Sequence, residues 1–379
     1  MRPNSGEPHE VTLVKGPDVV AGLAWTANSE SIVYTAPDGS LWRVQARGGV
    51  PEKLTFAHET QTPTIARAGH RLAYPEVNFH RDIFRIDLAT PTEPARPPTR
   101  FISSTAGQLD ARISPDGKRI VFESERSEHS EIWLCDQDGS NPVQITSLGM
   151  SETPRWSPDS RQIVFSSRAS GIAELYVVNA DGGPPRKLAT GTPNAVTPFW
   201  SADGRWIYFS TETPEAVWKV ASEGGTAVRL TKDRGYYPQE SADGERIFYV
   251  VRGDRYHIWS LPINGGDERH EDGMPSLRPQ LSAAWAPAQN GIYFIDGFRA
   301  QFSVNYFNSS TRHVNRVSEL PGLGSVWGGI DASVNNETLL YAGVGHREAD
   351  IMLVEGFHPA WSLQMLPRIP SFQPTRGQC

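Results

Sequence analysis

Arginines, histidines and a few carboxylates are the side chains of this chain whose types and placement could do chemistry. Arg81, Arg112, Arg155, Arg168, Arg252, Arg255, Arg299 and Arg347 carry planar guanidinium groups, suited to bidentate recognition of carboxylate or phosphate. Asp110, Glu152, Asn194 and Tyr237 are spread among them as acceptors and polar platforms. His80, His129, His257 and His346 could assemble a divalent-metal site if the fold brought them together. The ten histidines contain no His-x-His and no His-Glu-x-x-His pair, the spacings that place imidazoles side by side. Gly324-Ser325-Val326-Trp327-Gly328 does not fit the Gly-x-Ser-x-Gly elbow of a serine hydrolase. These residues favour binding over catalysis, and no catalytic residue is assigned. Everything then rests on which elements position them.

Those elements repeat. Thr153-Pro154-Arg155-Trp156-Ser157-Pro158-Asp159 is followed by Ile163-Val164-Phe165, then Glu174-Leu175-Tyr176-Val177-Val178, then Asp181-Gly182-Gly183 and Arg186-Lys187-Leu188. That order reads as four short strands joined by tight turns. The residue ending the first strand recurs as Trp25, Ile65, Ile113, Trp156, Trp200, Glu240, Trp285 and Ile330, at steps of 40 to 48 residues. This is the period of a four-stranded propeller blade. Second strands recur as Ile-Val-Phe-like triplets from Ile32-Val33-Tyr34 to Leu339-Leu340-Tyr341. Third strands recur from Leu41-Trp42-Arg43-Val44 to Ile351-Met352-Leu353-Val354. Asp-Gly pairs at 116, 203 and 243 supply the first hairpin, and Gly-Gly pairs the later one, because glycine reaches positive φ without steric cost.

The expected fold is an all-β propeller of four-stranded antiparallel blades. Eight blades are expected, with seven as the alternative if the irregular Glu240 copy fails. Val11-Thr12-Leu13-Val14 is expected to complete the last blade and close the ring. Residues 1–357 form one propeller domain, followed by a proline-rich tail over 358–379. A net charge of −7 argues against a general nucleic-acid surface. The two cysteines, Cys135 and Cys379, fit no zinc spacing. Met1 to Glu10 is polar and no apolar run reaches membrane-spanning length, so a soluble, cytoplasmic monomer is expected.

The stretch Ser114-Pro115-Asp116-Gly117-Lys118-Arg119-Ile120-Val121-Phe122-Glu123-Ser124, continued by Glu131-Ile132-Trp133-Leu134-Cys135-Asp136 and Asp138-Gly139-Ser140-Asn141-Pro142, resembles the TolB-type, WD-like propeller repeat. The chain is also similar to the C-terminal propeller region of bacterial winged-helix regulators. The sequence contains no winged-helix segment, so DNA binding is not carried over from them. The resemblance implies a sensor or scaffold propeller.

In such a ring the loops between second and third strands and the entries to first strands share one face with the central channel. The arginines, histidines and polar residues named above fall at those places. The expected function is non-catalytic recognition of a protein or peptide partner through this face, with a small molecule or glycan as a further ligand class. The alternative is a propeller lyase or hydrolase acting on a carbohydrate or ester with a metal in the channel. No cofactor is expected outside that alternative.

Overall fold

The computed structural model describes residues 22–357 apart from 37–38, 58–59, 69, 89–95, 128, 254, 279–280, 282, 289, 299–300, 321–325, 334 and 336. Among the described residues there is no α-helix, and none long and apolar enough to cross a membrane. The chain divides into two compact units, one of residues 1–78 with 347–379, the other of residues 79–346. The proposed closing strand at 11–14 and the tail 358–379 lie outside the described residues.

The first unit holds a four-stranded sheet of β1 (Leu23–Trp25), β2 (Ser31–Thr35), β3 (Leu41–Gln45) and β4 (Glu52–Leu54). Also in it are β5 (Thr64–Ile65) and the start of β6 (Arg71–Asp87), which pair antiparallel through Thr64 and Ala73. Its core gathers Val33, Leu41, Leu54, Leu72, Tyr74 and Phe357. Trp25 is 51% exposed, unlike Trp156 and Trp200, which are buried.

The second unit contains five regular sheets. They are β8 (Gln108–Ile113) to β11 (Val143–Gln144); β12 (Ser151–Trp156) to β15 (Arg186–Lys187); β16 (Ala195–Trp200) to β19 (Val228–Arg229); β20 (Tyr236–Glu240) to β23 (Arg269–His270); and β24 (Trp285–Ala288) to β27 (Val314–Leu320). A sixth is assembled from distant parts of the chain. β28 (Val326–Ala332) pairs with the start of β29 (Thr338–Glu355), and the end of β6 pairs with β7 (Thr99–Ile102). Leu88 N donates to Glu337 O at 2.8 Å where β6 meets β29.

First strands lie innermost. β8, β12, β16, β20, β24 and β28 each pack beside the next, and β28 returns to β8. Side-chain alternation along a strand explains how the composite sheet fills both neighbouring layers. Leu339 and Tyr341 join Tyr293, Ile295 and Val304 of the sheet before it, whereas Leu340 and Ala342 join Ile120 and Phe122 of the sheet after it.

Eight separate blades are not confirmed, and the number of sheets is that of the seven-blade alternative, though not for the reason expected of the Glu240 copy. Among the described residues there are six four-stranded sheets and one of five strands, because the second and eighth copies share a sheet. The cause is a missing turn. Between Tyr74 and Ile83, and between Tyr341 and Ile351, no Asp-Gly or Pro-Gly signal interrupts the chain, so each pair of expected strands runs on as one. His80, Arg81, His346 and Arg347 are therefore in strands, not in loops. The irregular sixth copy does form a complete sheet. Buried Glu240 accepts from Ala202 N of the preceding sheet at 3.2 Å, while Trp156 Nε1 donates to Arg112 O of its preceding sheet at 3.0 Å.

One clamp shapes the first hairpin in copy after copy. Ser114, Ser157, Ser201 and Ser241 each donate Oγ–H to Oδ1 of the aspartate two residues on. Each serine oxygen also accepts the backbone N–H five residues on. Thr26 with Asn28 and Ser333 with Asn335 repeat the pattern. Gly117, Gly204 and Gly244 follow at φ near 70°, a conformation costly for a side chain with Cβ. Removing one clamp, as in Ser201→Ala, is expected to lower stability by about 1 kcal/mol in urea unfolding. The Ser201 hydroxyl, then the Arg205 N–H, holds the Asp203 carboxyl down at about 2. A carboxylate whose folded pKa is depressed stabilises fully above its unfolded value and loses that contribution as pH falls through the folded one. Wild-type stability should thus decline from about pH 4 toward pH 2, and Asp203→Asn should flatten part of that decline. An unchanged profile would show that the clamp's charge carries no stability.

Candidate functional site

The inner strands carry a shared irregularity that aims side chains at the channel. In β8, β12, β16 and β20 two residues oppose one on the second strand, a β-bulge. The first bulge residue is Asp110, Thr153, Thr197 or Tyr237, and all four have φ between 45° and 55°. The opposing residue is the buried aromatic Phe122, Phe165, Phe209 or Tyr249. Pro154, Pro198 and Pro238 occupy the second bulge position, where the missing N–H breaks no ladder bond. The next residue in each strand is Arg112, Arg155, Phe199 or Gln239.

In β28 the matching position is Asp331. The clamp at Ser333 and Asn335 sets that register, so the residue ending this first strand is Ala332 and not Ile330. Asp331 and Arg112 then face one another across the junction of β28 and β8. Arg112 donates to Ile330 O at 2.5 Å and to Asp110 Oδ1 at 3.2 Å, and lies 3.8 Å from Asp331. Asp110 Oδ1 also accepts Gly329 N at 2.9 Å, and Asp331 Oδ2 accepts Ile113 N at 2.8 Å. Gly329 is required by close approach: a Cβ there would lie 2.1 Å from an Arg112 nitrogen.

Arg155 sits in the same field with less to hold it. Among the described residues its one hydrogen bond runs to Pro154 O at 2.7 Å, and it has no ion pair within 4 Å. Burial, then the neighbouring Arg112 guanidinium, pushes its pKa down to about 9, with Asp110, Asp331 and Tyr237 opposing. Burial likewise raises Asp331 against the pull of Arg112.

The other expected site residues divide into clamps and loop positions. Arg168 forks onto Glu212 of the next sheet at 2.7 and 3.2 Å and lies 3.9 Å from Glu152. Arg252 reaches Glu215 of the preceding sheet at 2.7 Å and stands 4.2 Å over the Tyr236 ring. Tyr236 meets Tyr237 edge to face at 4.7 Å. Arg81 lies 3.5 Å from Glu125. Arg255 is held by the Ser276 hydroxyl and carbonyl at 2.6 and 2.7 Å. Asn194, half-buried at φ 55°, leads into β16. His129 is exposed on a loop, and His257 pairs with His270, so these two do not converge on one metal. Arg299 and the side chains of His80, His346 and Arg347 lie outside the described residues.

Two residues escaped the sequence reading. Asp331 was hidden by the misplaced end of the eighth first strand, although Ser333-x-Asn335 repeats the Ser-x-Asp signature. Glu123 stands where other second strands have Ser166, Ser210 or Val250, an acid inside an apolar run. It is buried, accepts from Ser130 Oγ at 3.0 Å, and is pushed well above the carboxylate range by burial and then by Asp110 and Glu152. A raised folded pKa means the ionised form costs stability as pH rises above the unfolded value. Glu123→Gln should therefore raise the unfolding midpoint at pH 7, with the gain fading below about pH 4. A loss of stability at pH 7 would contradict this charge assignment.

Residues 145–322 match the family model described as the TolB beta propeller domain. An uncharacterized protein of Agrobacterium fabrum is 30% identical over 184 residues, 47% of this chain and 61% of that protein. A protein TolB homolog of Chlorobaculum tepidum is 43% identical over 56 residues, 14% of this chain and 13% of its own length. The chain thus spans less than two thirds of the length of these curated relatives. The crystal structure of TolB from Acinetobacter baumannii superposes with a TM-score of 0.52 over 69% of this chain and 82% of that chain, at 17% identity, a likeness of fold alone. Residues 145–322 thus resemble TolB propeller domains in sequence, and the fold is like that of TolB.

Proposed function

We infer that the ring of residues 79–346 is a recognition module for a protein partner, and that it takes an acidic segment of that partner into its channel. Arg155 carries this reading. A half-buried guanidinium beside a second guanidinium, hydrogen-bonded among the described residues only to its neighbour's carbonyl, is an incompletely compensated charge. A carboxylate entering the channel would compensate it by a bidentate, charge-assisted pair. Arg112 is unsuited to that role, being committed to Ile330 and Asp110. The acids around Arg155 restrict the anion to one that reaches the guanidinium without crowding Asp110 or Asp331. The match to the TolB beta propeller domain supports a protein partner over a small metabolite.

The test uses a displayed library of random peptides selected on the full chain. Enrichment of peptides with a carboxylate at one dominant position is expected, and Arg155→Met should weaken the selected peptides by tenfold or more. The same variant should keep or gain stability, because it removes a half-buried charge that the free protein leaves poorly paired. Selected peptides without acids, or equal binding to Arg155→Met, would overturn the reading.

A further inference from the structure

We propose that His257 and His270 form a binding site for a divalent transition-metal ion of the zinc class, at the outer part of the sheet β20–β23 and away from the channel. His257 opens β22 (His257–Pro262) and His270 closes β23. Trp259 pairs directly with His270, and alternation along β22 puts His257 on the same face. The two imidazoles are thus diagonal cross-strand neighbours.

Their geometry matches metal ligation better than hydrogen bonding. His270 Nε2 lies 3.4 Å from His257 Nδ1. That separation is long for an N–H···N bond, whose usual length is about 3.0 Å. Two nitrogens at about 2.0–2.1 Å from a tetrahedral zinc stand about 3.3–3.4 Å apart. The second nitrogen of His270, Nδ1, is 2.7 Å from Asp272 Oδ1. A carboxylate there accepts the Nδ1–H hydrogen bond, which leaves the Nε2 lone pair facing His257, the arrangement that tunes metal-bound histidines. Trp259 packs against the His270 ring edge to face, with centroids 5.5 Å apart, and limits its rotation. The His270 side chain is 37% exposed, so an ion can enter from solvent. Arg269 and Glu271 bond to each other and Glu271 to Ser260, on the opposite face of the sheet, which keeps the Arg269 cation away from the two imidazoles.

Among the described residues no three or more ligating side chains converge. A two-histidine site leaves its remaining positions to water or to a donor from a bound partner. Imidazole donors select zinc, copper or nickel over magnesium or calcium.

The experiment is calorimetric titration of the full chain, stripped of metal by chelation, with zinc chloride, then with magnesium chloride. One equivalent of zinc should bind and magnesium should not. His257→Ala and His270→Ala should each abolish that event, and Asp272→Asn should weaken it by about 10–100-fold. Added zinc should raise the thermal midpoint of the wild type but not of His270→Ala, while both share one midpoint in chelator. Absence of zinc uptake, or uptake that survives both histidine substitutions, overturns the proposal.

Discussion

One guanidinium group, that of Arg112, ties β8 to β28 and so fixes the channel of the six-sheet ring. Stacked sheets bury their faces through apolar contact, here Leu339 and Tyr341 on one side of the composite sheet and Leu340 and Ala342 on the other. Apolar contact is non-directional and sets no register by itself. The register at this junction comes from polar atoms: Arg112 on Ile330 O, Asp110 on Gly329 N, and Asp331 on Ile113 N. These residues are more than two hundred positions apart in sequence. Removing one partner would leave a buried charge uncompensated, so the junction is defined even if its net contribution to stability is small.

From that junction the bulged inner strands distribute chemistry around the channel. The bulge stands opposite a buried aromatic in each of these four strands, and three of them place proline at its second position. The position that follows is free to vary. Arg112 and Asp331 are used in the junction, Phe199 is apolar, and Gln239 donates to Trp285 O at 3.1 Å. Arg155, hydrogen-bonded among the described residues only to Pro154 O, has most of its donors to spare. Function in a repeat fold resides in positions that the repeat leaves unconstrained, and this ring follows that rule.

The strands and hairpins were legible because alternation and turn residues are local signals. Ile163-Val164-Phe165 and Asp116-Gly117 say what they are within a few residues. The merged sheet was not legible in the same way, since it follows from turn signals that are missing between Tyr74 and Ile83. The site was legible as a set of residue types and not as a set of partners. Arg168 meets Glu212 and His257 meets His270 only after the sheets stack and pair, and sequence spacing does not reveal such contacts. Asp331 shows a narrower failure. Ile330, an apolar residue two places before the strand end, fits the apolar anchor pattern as well as Ala332 does, and only the hydroxyl clamp of Ser333 and Asn335 marks the true register.

A double-mutant cycle on Arg112 and Asp331 tests the role of the junction most directly. Arg112→Met, Asp331→Asn and the pair together would be compared with the wild type by urea unfolding at neutral pH. If the two groups act as one junction, their effects should fail to add by more than about 0.5 kcal/mol. Effects that add within about 0.3 kcal/mol would show that the two side chains are independent, and that apolar stacking alone positions β8 against β28.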